Sequence, residues 1–240
     1  MKRLIFMLIL FIAVLCMSIL LISEEKTSIY ISIRPDFGDA TDIIGAKITM
    51  INNNGIKSHI YKKKAKGTHV LFKKIVPGTY TLNVEHKDYF SASLENVIIR
   101  TTVHGLNAYL IRKGTAGGIV FYDKGSVIDG WRFLEAAPAN TEFNADWNSA
   151  IIRCSELVIN GKTGWSLPNK DQLNHMYQNL HLKDLGDFGK GNNSDSWINW
   201  AYWSSSQHND NLAWAQYFGN GGQGNVTKSS TYRVRAVLAF

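Results

Sequence analysis

Ser206 and His208 bring a hydroxyl and an imidazole two residues apart in YWSSSQHNDNLAWAQYFGNGGQ, residues 202–223. Hydrolysis by such a pair needs a nucleophile–base contact and an acidic residue to orient the base. The two lie too close along the chain to be taken as that contact, and no acidic orienter can be named. Cys154 is the one cysteine outside the apolar leader. No histidine can be assigned to activate it, and its place between Ile152 and Leu157 suits a small buried hydrophobe. Asp184, Asp187 and Asp195 share a glycine-rich loop and offer oxygens that a hard cation wants. Their spacing departs from the D-x-D-x-D-G loop. His175 and His181, six residues apart, lack metal-ligand spacing, and His175 reads as an interfacial polar residue. The sequence therefore names no catalytic residue, no cofactor and no metal, and a hydrolase is the most distant reading.

Binding chemistry is better represented. Asn192, Asn193, Asp195, Trp197 and Trp200 come from one long loop, and Gln207, His208 and Asn209 from a hairpin. A ring between short amides can cover the apolar face of a sugar while the amides pair with its hydroxyls. Trp203, Trp214 and Phe218, by contrast, read as strand residues that fill a core. Ser204, Ser205 and Ser206 would satisfy backbone groups at a strand end, and residues 219–224 would form a tight loop. A second charged surface is Lys62, Lys63, Lys64 and Lys66, with Lys73 and Lys74 following. Its plainest reading is a solvated turn guarding an edge strand. A sharper one is contact with anionic lipid, cell-wall polymer or sulfated glycan.

The elements that position these residues divide the chain in two. Met1, Lys2 and Arg3 precede an apolar run over residues 4–22, so residues 1–23 read as an export signal or a signal-anchor. A lipid-modified Cys16 is disfavoured by the large Leu15 before it. Residues 23–113 hold 14 Lys and Arg against 8 Asp and Glu, whereas residues 114–240 hold 10 against 11 and all seven tryptophans. In the first half, residues 30–33, 46–51, 69–72, 80–85 and 96–100 are short β-branched or aromatic runs. Asn53-Asn54-Gly55 and Pro77-Gly78 punctuate them as turns. Tyr80, Leu82 and Val84 alternate with Thr79, Thr81 and Asn83 as a half-buried strand does. Residues 27–113 are expected to be an all-β sandwich spacer.

In the second half, strands are expected at residues 119–122 and 131–136. Trp147, Ala150, Ile151, Cys154 and Leu157 mark one helix face. Leu173, Met176, Tyr177 and Leu180 mark a second helix, with Pro168 in its first turn. A long loop, the opening stretch and a closing strand over residues 233–240 follow.

IVPGTYTLNVEHKDY resembles carboxypeptidase-regulatory-like and PEGA-type modules of bacterial surface proteins, over about residues 28–112. GGIVFYD, GWRFLEAAP, WSLPNKDQL, YWSSS, AWAQYF and VRAVLAF, in that order, resemble the C-terminal domain family of the Legionella collagen-like adhesin. That resemblance implies an α+β C-type-lectin-like domain over residues 114–240, preceded by the β-sandwich and an N-terminal hydrophobic helix. Where the family has Trp-Arg-Leu-Pro, this chain has Trp165-Ser166-Leu167-Pro168, with one cation fewer. The founding domain binds sulfated glycosaminoglycans, but the second half here is near neutral. The Glu-Pro-Asn and Trp-Asn-Asp calcium signatures of sugar-binding lectins are missing. Formylglycine-generating enzymes share the fold class but use paired cysteines or copper, and Cys154 stands alone. The implied protein is exported: surface, periplasmic or membrane-anchored through its N-terminal segment, with its bulk outside the cytoplasm. It binds a glycan or a surface protein, makes no use of nucleic acid, and has homo-oligomerisation open to it. The alternative is a structural envelope protein serving assembly.

Overall fold

Alternation decides the first unit. The computed structural model describes residues 27–53, 60–100, 104–189 and 200–240. The leader at 1–23, Cys16, and the Asn54-Gly55 half of the first turn lie outside the described residues. Two compact units emerge. One takes residues up to Arg34, Ala40–Lys87 and Ser91–Leu110; the other takes Pro35–Asp39, Asp88–Phe90 and Ile111–Phe240. No helix among the described residues is long and apolar enough to cross a membrane.

The first unit is built from β1 (Thr27–Pro35), β2 (Lys47–Asn52), β3 (Ile60–Lys64), β4 (His69–Ile75), β5 (Gly78–His86), β6 (Tyr89–Ile99) and β7 (His104–Leu110). They pair as a three-stranded sheet, β4-β1-β7, and a four-stranded one, β3-β2-β5-β6. Ile29, Ile31 and Ile33 of β1, Ile48 and Met50 of β2, and Tyr80, Leu82 and Val84 of β5 are all buried. Period-two burial on both sheets makes a β-sandwich with one shared core. The Tyr80 hydroxyl donates to the Val76 carbonyl at 2.6 Å, so the deepest ring keeps its polar end satisfied. β3 escapes the alternation signal because it is an edge strand whose residues are exposed or half-buried throughout, three of them lysines.

In the second unit come β8 (Ile119–Ile128), β9 (Trp131–Ala136), β10 (Phe143–Ala145), helix α1 (Trp147–Glu156) and helix α2 (Lys170–Asn179). They are followed by β11 (Ala201–Gln207), β12 (Leu212–Tyr217), β13 (Gln223–Thr227), β14 (Tyr232–Val234) and β15 (Val237–Ala239). A five-stranded sheet, β10-β14-β11-β12-β13, carries a different core on each face. Trp203, Ala201, Ala213 and Ala215 meet Trp147, Ala150 and Cys154 of α1 on one side. Tyr202 and Phe218 meet Leu173 and Met176 of α2 on the other. The second sheet, β15-β9-β8, closes the unit.

Two expectations are corrected here. α2 starts at Lys170 and not at Pro168. Asn169 is the N-cap, its side chain accepting from the Gln172 amide while Gln172 reciprocates. Pro168 lies before the helix, where its carbonyl accepts from the Ser205 amide at 2.8 Å. The closing strand over 233–240 is also two short strands, because Arg235 interrupts it. Its side chain is buried and reaches Glu142 and the carbonyls of Ala137 and Gly186.

A buried carboxylate fixes the start of this unit. Glu135 on β9 is fully buried and accepts from the backbone amides of Ala116 (3.1 Å) and Gly118 (2.7 Å). A Cβ at Gly118 would stand 2.0 Å from the Ala136 carbonyl oxygen, and one at Gly114 would strike the Glu135 side chain. GTAGG and GWRFLEAAP therefore form one clasp. Cys154 is buried in the α1 core, and burial pushes its thiol up to about 12, so it sits there as an inert hydrophobe.

Candidate functional site

Trp200, Gln207, His208 and Asn209 are the expected binding residues that lie among the described ones. Asn192, Asn193, Asp195 and Trp197 lie outside the described residues. Trp200 is half-buried, and its ring covers Gly189 so closely that a Cβ there would come within 2.3 Å of it. The Arg233 guanidinium lies 5.3 Å from the same ring. Arg233 and Arg235 both bind Glu142, at 2.6 and 2.7 Å, and Tyr202 adds its hydroxyl to Glu142 at 3.0 Å. Burial, then the Glu142 charge, pushes the Tyr202 phenol above its ordinary range. Trp200 is thus one wall of a packed ionic cluster.

Gln207, His208 and Asn209 are exposed at the β11–β12 hairpin. Asn209 spends its side-chain oxygen on the turn, accepting from the amides of Asn211 (3.0 Å) and Leu212 (2.8 Å). Gln207 faces solvent opposite Ala213. His208 stands edge-on to Trp214, with centroids 5.9 Å apart and rings at 89°.

Trp214 is the main correction. Trp203 and Phe218 are buried as expected, but Trp214 is partly exposed. On β12, Ala213 and Ala215 point into the α1 core, so Leu212, Trp214 and Gln216 take the opposite face. Helix α2 covers Gln216, which donates to Asn174 Oδ1 at 2.9 Å. Coverage ends there. At the first residue of that helix, Lys170 carries its ammonium to 3.5 Å from the centroid of the Trp214 ring. The Lys170 amide donates to Ser206 Oγ at 3.0 Å, and its carbonyl accepts from Gln223 Nε2 at 3.0 Å, so the helix start is tied to β11 and β13. The exposed Asn225 of β13 lies directly across from Trp214. An indole, an ammonium, an imidazole and an amide therefore share one sheet margin. Ser204 and Ser206 do serve the backbone: Ser204 Oγ accepts from the Ser206 amide at 3.2 Å.

Other candidates hold structural places. His175 packs against Tyr122, with ring centroids 4.7 Å apart, at the α2–β8 contact. Asp184 and Asp187 adopt left-handed backbone conformations in their loop, and Asp195 lies outside the described residues. Among the described residues no group of three His, Cys, Asp or Glu is placed to hold a metal.

In the first unit the lysine run separates by face. Lys63, though exposed, reaches across to β4: its ammonium donates to the Leu71 carbonyl at 2.6 Å and lies 5.6 Å from the ring of the buried Phe72. Lys62 and Lys64 point outward, in register with Thr49 and Lys47, and Lys66 is exposed in the following loop.

Residues 126–238 match the family described as the Lcl C-terminal domain, so the second unit carries the family signature that its sequence blocks resemble. No curated protein matches the chain. Among solved structures, a type II cohesin–X-dockerin complex from Acetivibrio cellulolyticus is 20% identical, with a TM-score of 0.28, over 38% of this chain and 60% of that one. A fimbrial protein from Bacteroides ovatus is 12% identical, with a TM-score of 0.30, over 90% of this chain and 71% of that one. The chain thus spans less than two thirds of the first of these, and likenesses this weak identify no shared fold.

Proposed function

We propose that the protein is an exported, non-catalytic envelope or surface protein whose second unit is a C-type-lectin-like, adhesin-type binding module. In this reading residues 1–23 deliver or anchor it, the β-sandwich holds the module away from the membrane, and a glycan or a surface protein is its ligand. The element order among the described residues supports the lectin-like assignment: two strands, two helices, a hairpin and closing strands, with the last strand paired to β9. The match to an adhesin's C-terminal domain supports the class of function.

One observation carries the site. Trp214 is a large ring left partly open on a sheet margin, beside Lys170, His208 and Asn225. The ring suits the apolar face of a sugar, Asn225 and His208 suit its hydroxyls, and Lys170 suits an acidic substituent. A glycan array with the purified protein tests this. Hits should disappear in Trp214→Ala and weaken in Lys170→Ala while the melting temperature holds. A silent array together with self-association on sizing would favour the envelope-assembly alternative.

A further inference from the structure

The first unit carries a second surface, independent of the Trp214 margin. Lys64 on β3 lies directly across from Lys47 on β2, and Lys47 in turn lies across from Glu85 on β5. Side chains of directly opposed residues share a face at roughly 5 Å, and like charges so placed destabilise the sheet. Lys62 repeats the outward cation two residues along, roughly 7 Å away. Lys47, Lys64 and Glu85 border an open groove of about 520 Å³ whose lining also includes Ile44, Gly45 and Lys87, and Lys62 lies just beyond that lining. The Lys64 stem lies over the groove floor: a Cβ at Gly45 would stand 3.4 Å from its Cε.

Edge protection alone does not account for this arrangement. A guard belongs on the edge strand, as Lys62 and Lys64 do, but Lys47 sits on an interior strand and Lys87 follows the end of β5. Lysines from three places converge on one concavity, and Glu85 offsets one of them. A lipid headgroup plane would meet only the rim of such a groove, whereas a chain of anionic groups can lie along it. We propose that this groove binds a linear polyanion bearing phosphate or sulfate groups, its anions relieving the Lys47–Lys64 repulsion.

The test uses the full chain with inorganic polyphosphate and heparin as separate probes, titrated at low and physiological salt. Wild type should bind at least one of them, more weakly as salt rises. With each surface lysine contributing roughly fivefold, Lys47→Gln/Lys62→Gln/Lys64→Gln should weaken binding at least about tenfold with an undiminished melting temperature. Lys73→Gln/Lys74→Gln, outside the groove, should change it little, and Trp214→Ala should leave polyphosphate binding intact. Phosphate-bearing and sulfate-bearing ligands are told apart by which probe binds more tightly. An unaffected triple variant, an equal loss in the Lys73/Lys74 control, or lysine-dependent binding to phosphatidylglycerol vesicles without polymer binding would overturn the proposal.

Discussion

Trp203 and Trp214 stand on neighbouring strands, are the same residue type, and are expected to respond oppositely to truncation. Trp203 is fully buried among Ala201, Ala215 and the α1 core, packs edge-on against Tyr232 at 4.9 Å, and donates its indole N–H to the Ala145 carbonyl at 3.0 Å. Replacing a buried large aromatic with alanine costs about 3–5 kcal/mol. Leaving the Ala145 carbonyl unpartnered adds about 1 kcal/mol more. Against a domain stability of about 5–15 kcal/mol, Trp203→Ala brings the second unit close to unfolding. Its melting temperature should fall by roughly 10–20 °C. Trp214 is partly exposed and its truncation opens no sealed cavity, so Trp214→Ala should cost under about 1 kcal/mol. Since all seven tryptophans lie in the second half, tryptophan fluorescence during urea unfolding reports that unit, and six reporters remain in each variant. A Trp203→Ala variant within 1 kcal/mol of wild type, or equal losses from both, would refute the assignment of faces.

Glu142→Ala should cost about 3–5 kcal/mol in the same assay, because it strands the Arg235 guanidinium, which is 1% exposed. Changing Arg235 to Met together with Glu142→Leu should recover much of that loss. Gly118→Ala should destabilise by more than about 2 kcal/mol, since its Cβ meets backbone 2.0 Å away and opens the Glu135 clasp; faster hydrogen exchange at Ala116 is the local readout. Asp123 is held below the usual carboxylate range by the Arg132 hydrogen bond, so it adds stability above about pH 4 that is lost as acid protonates it at lower pH. Asp123→Asn should flatten the fall in stability between pH 5 and pH 2, and an unchanged pH profile would count against the pairing.

Much of the second unit was legible because its signals are local. β9 has the bounds expected of it, and Trp147, Ala150 and Cys154 are buried on α1 as helical spacing implies, although Ile151, expected on the same face, is exposed and Leu157 caps the helix. What period-two alternation cannot supply is the sign of a face. In LAWAQY the residues split cleanly into two sets, but which set is covered depends on how far α2 extends over the sheet. That helix begins at Lys170 and leaves Trp214 at its margin. The closing strand misled for a related reason: Arg235 breaks an otherwise apolar run, and partners far along the chain, Glu142 with the Ala137 and Gly186 carbonyls, make its burial tolerable. In the first unit, the lysines of β3 hide a strand whose pairing is visible only once β2 lies beside it. The hairpin residues Gln207, His208 and Asn209 were readable as exposed, but the turn's claim on Asn209 rests on backbone geometry that no composition reveals.

The Glu135 clasp separates what holds the second unit together from what its sheet margin presents. GTAGG and GWRFLEAAP are occupied with each other, and Val237 and Leu238 of VRAVLAF pair with Ala136 and Glu135. Much of these three stretches is thus occupied in holding one sheet shut. His208, Trp214 and Asn225 sit instead on the other sheet, at its hairpin and strand margins. Exchanges at these margins could therefore alter the surface they present while the clasp stays closed.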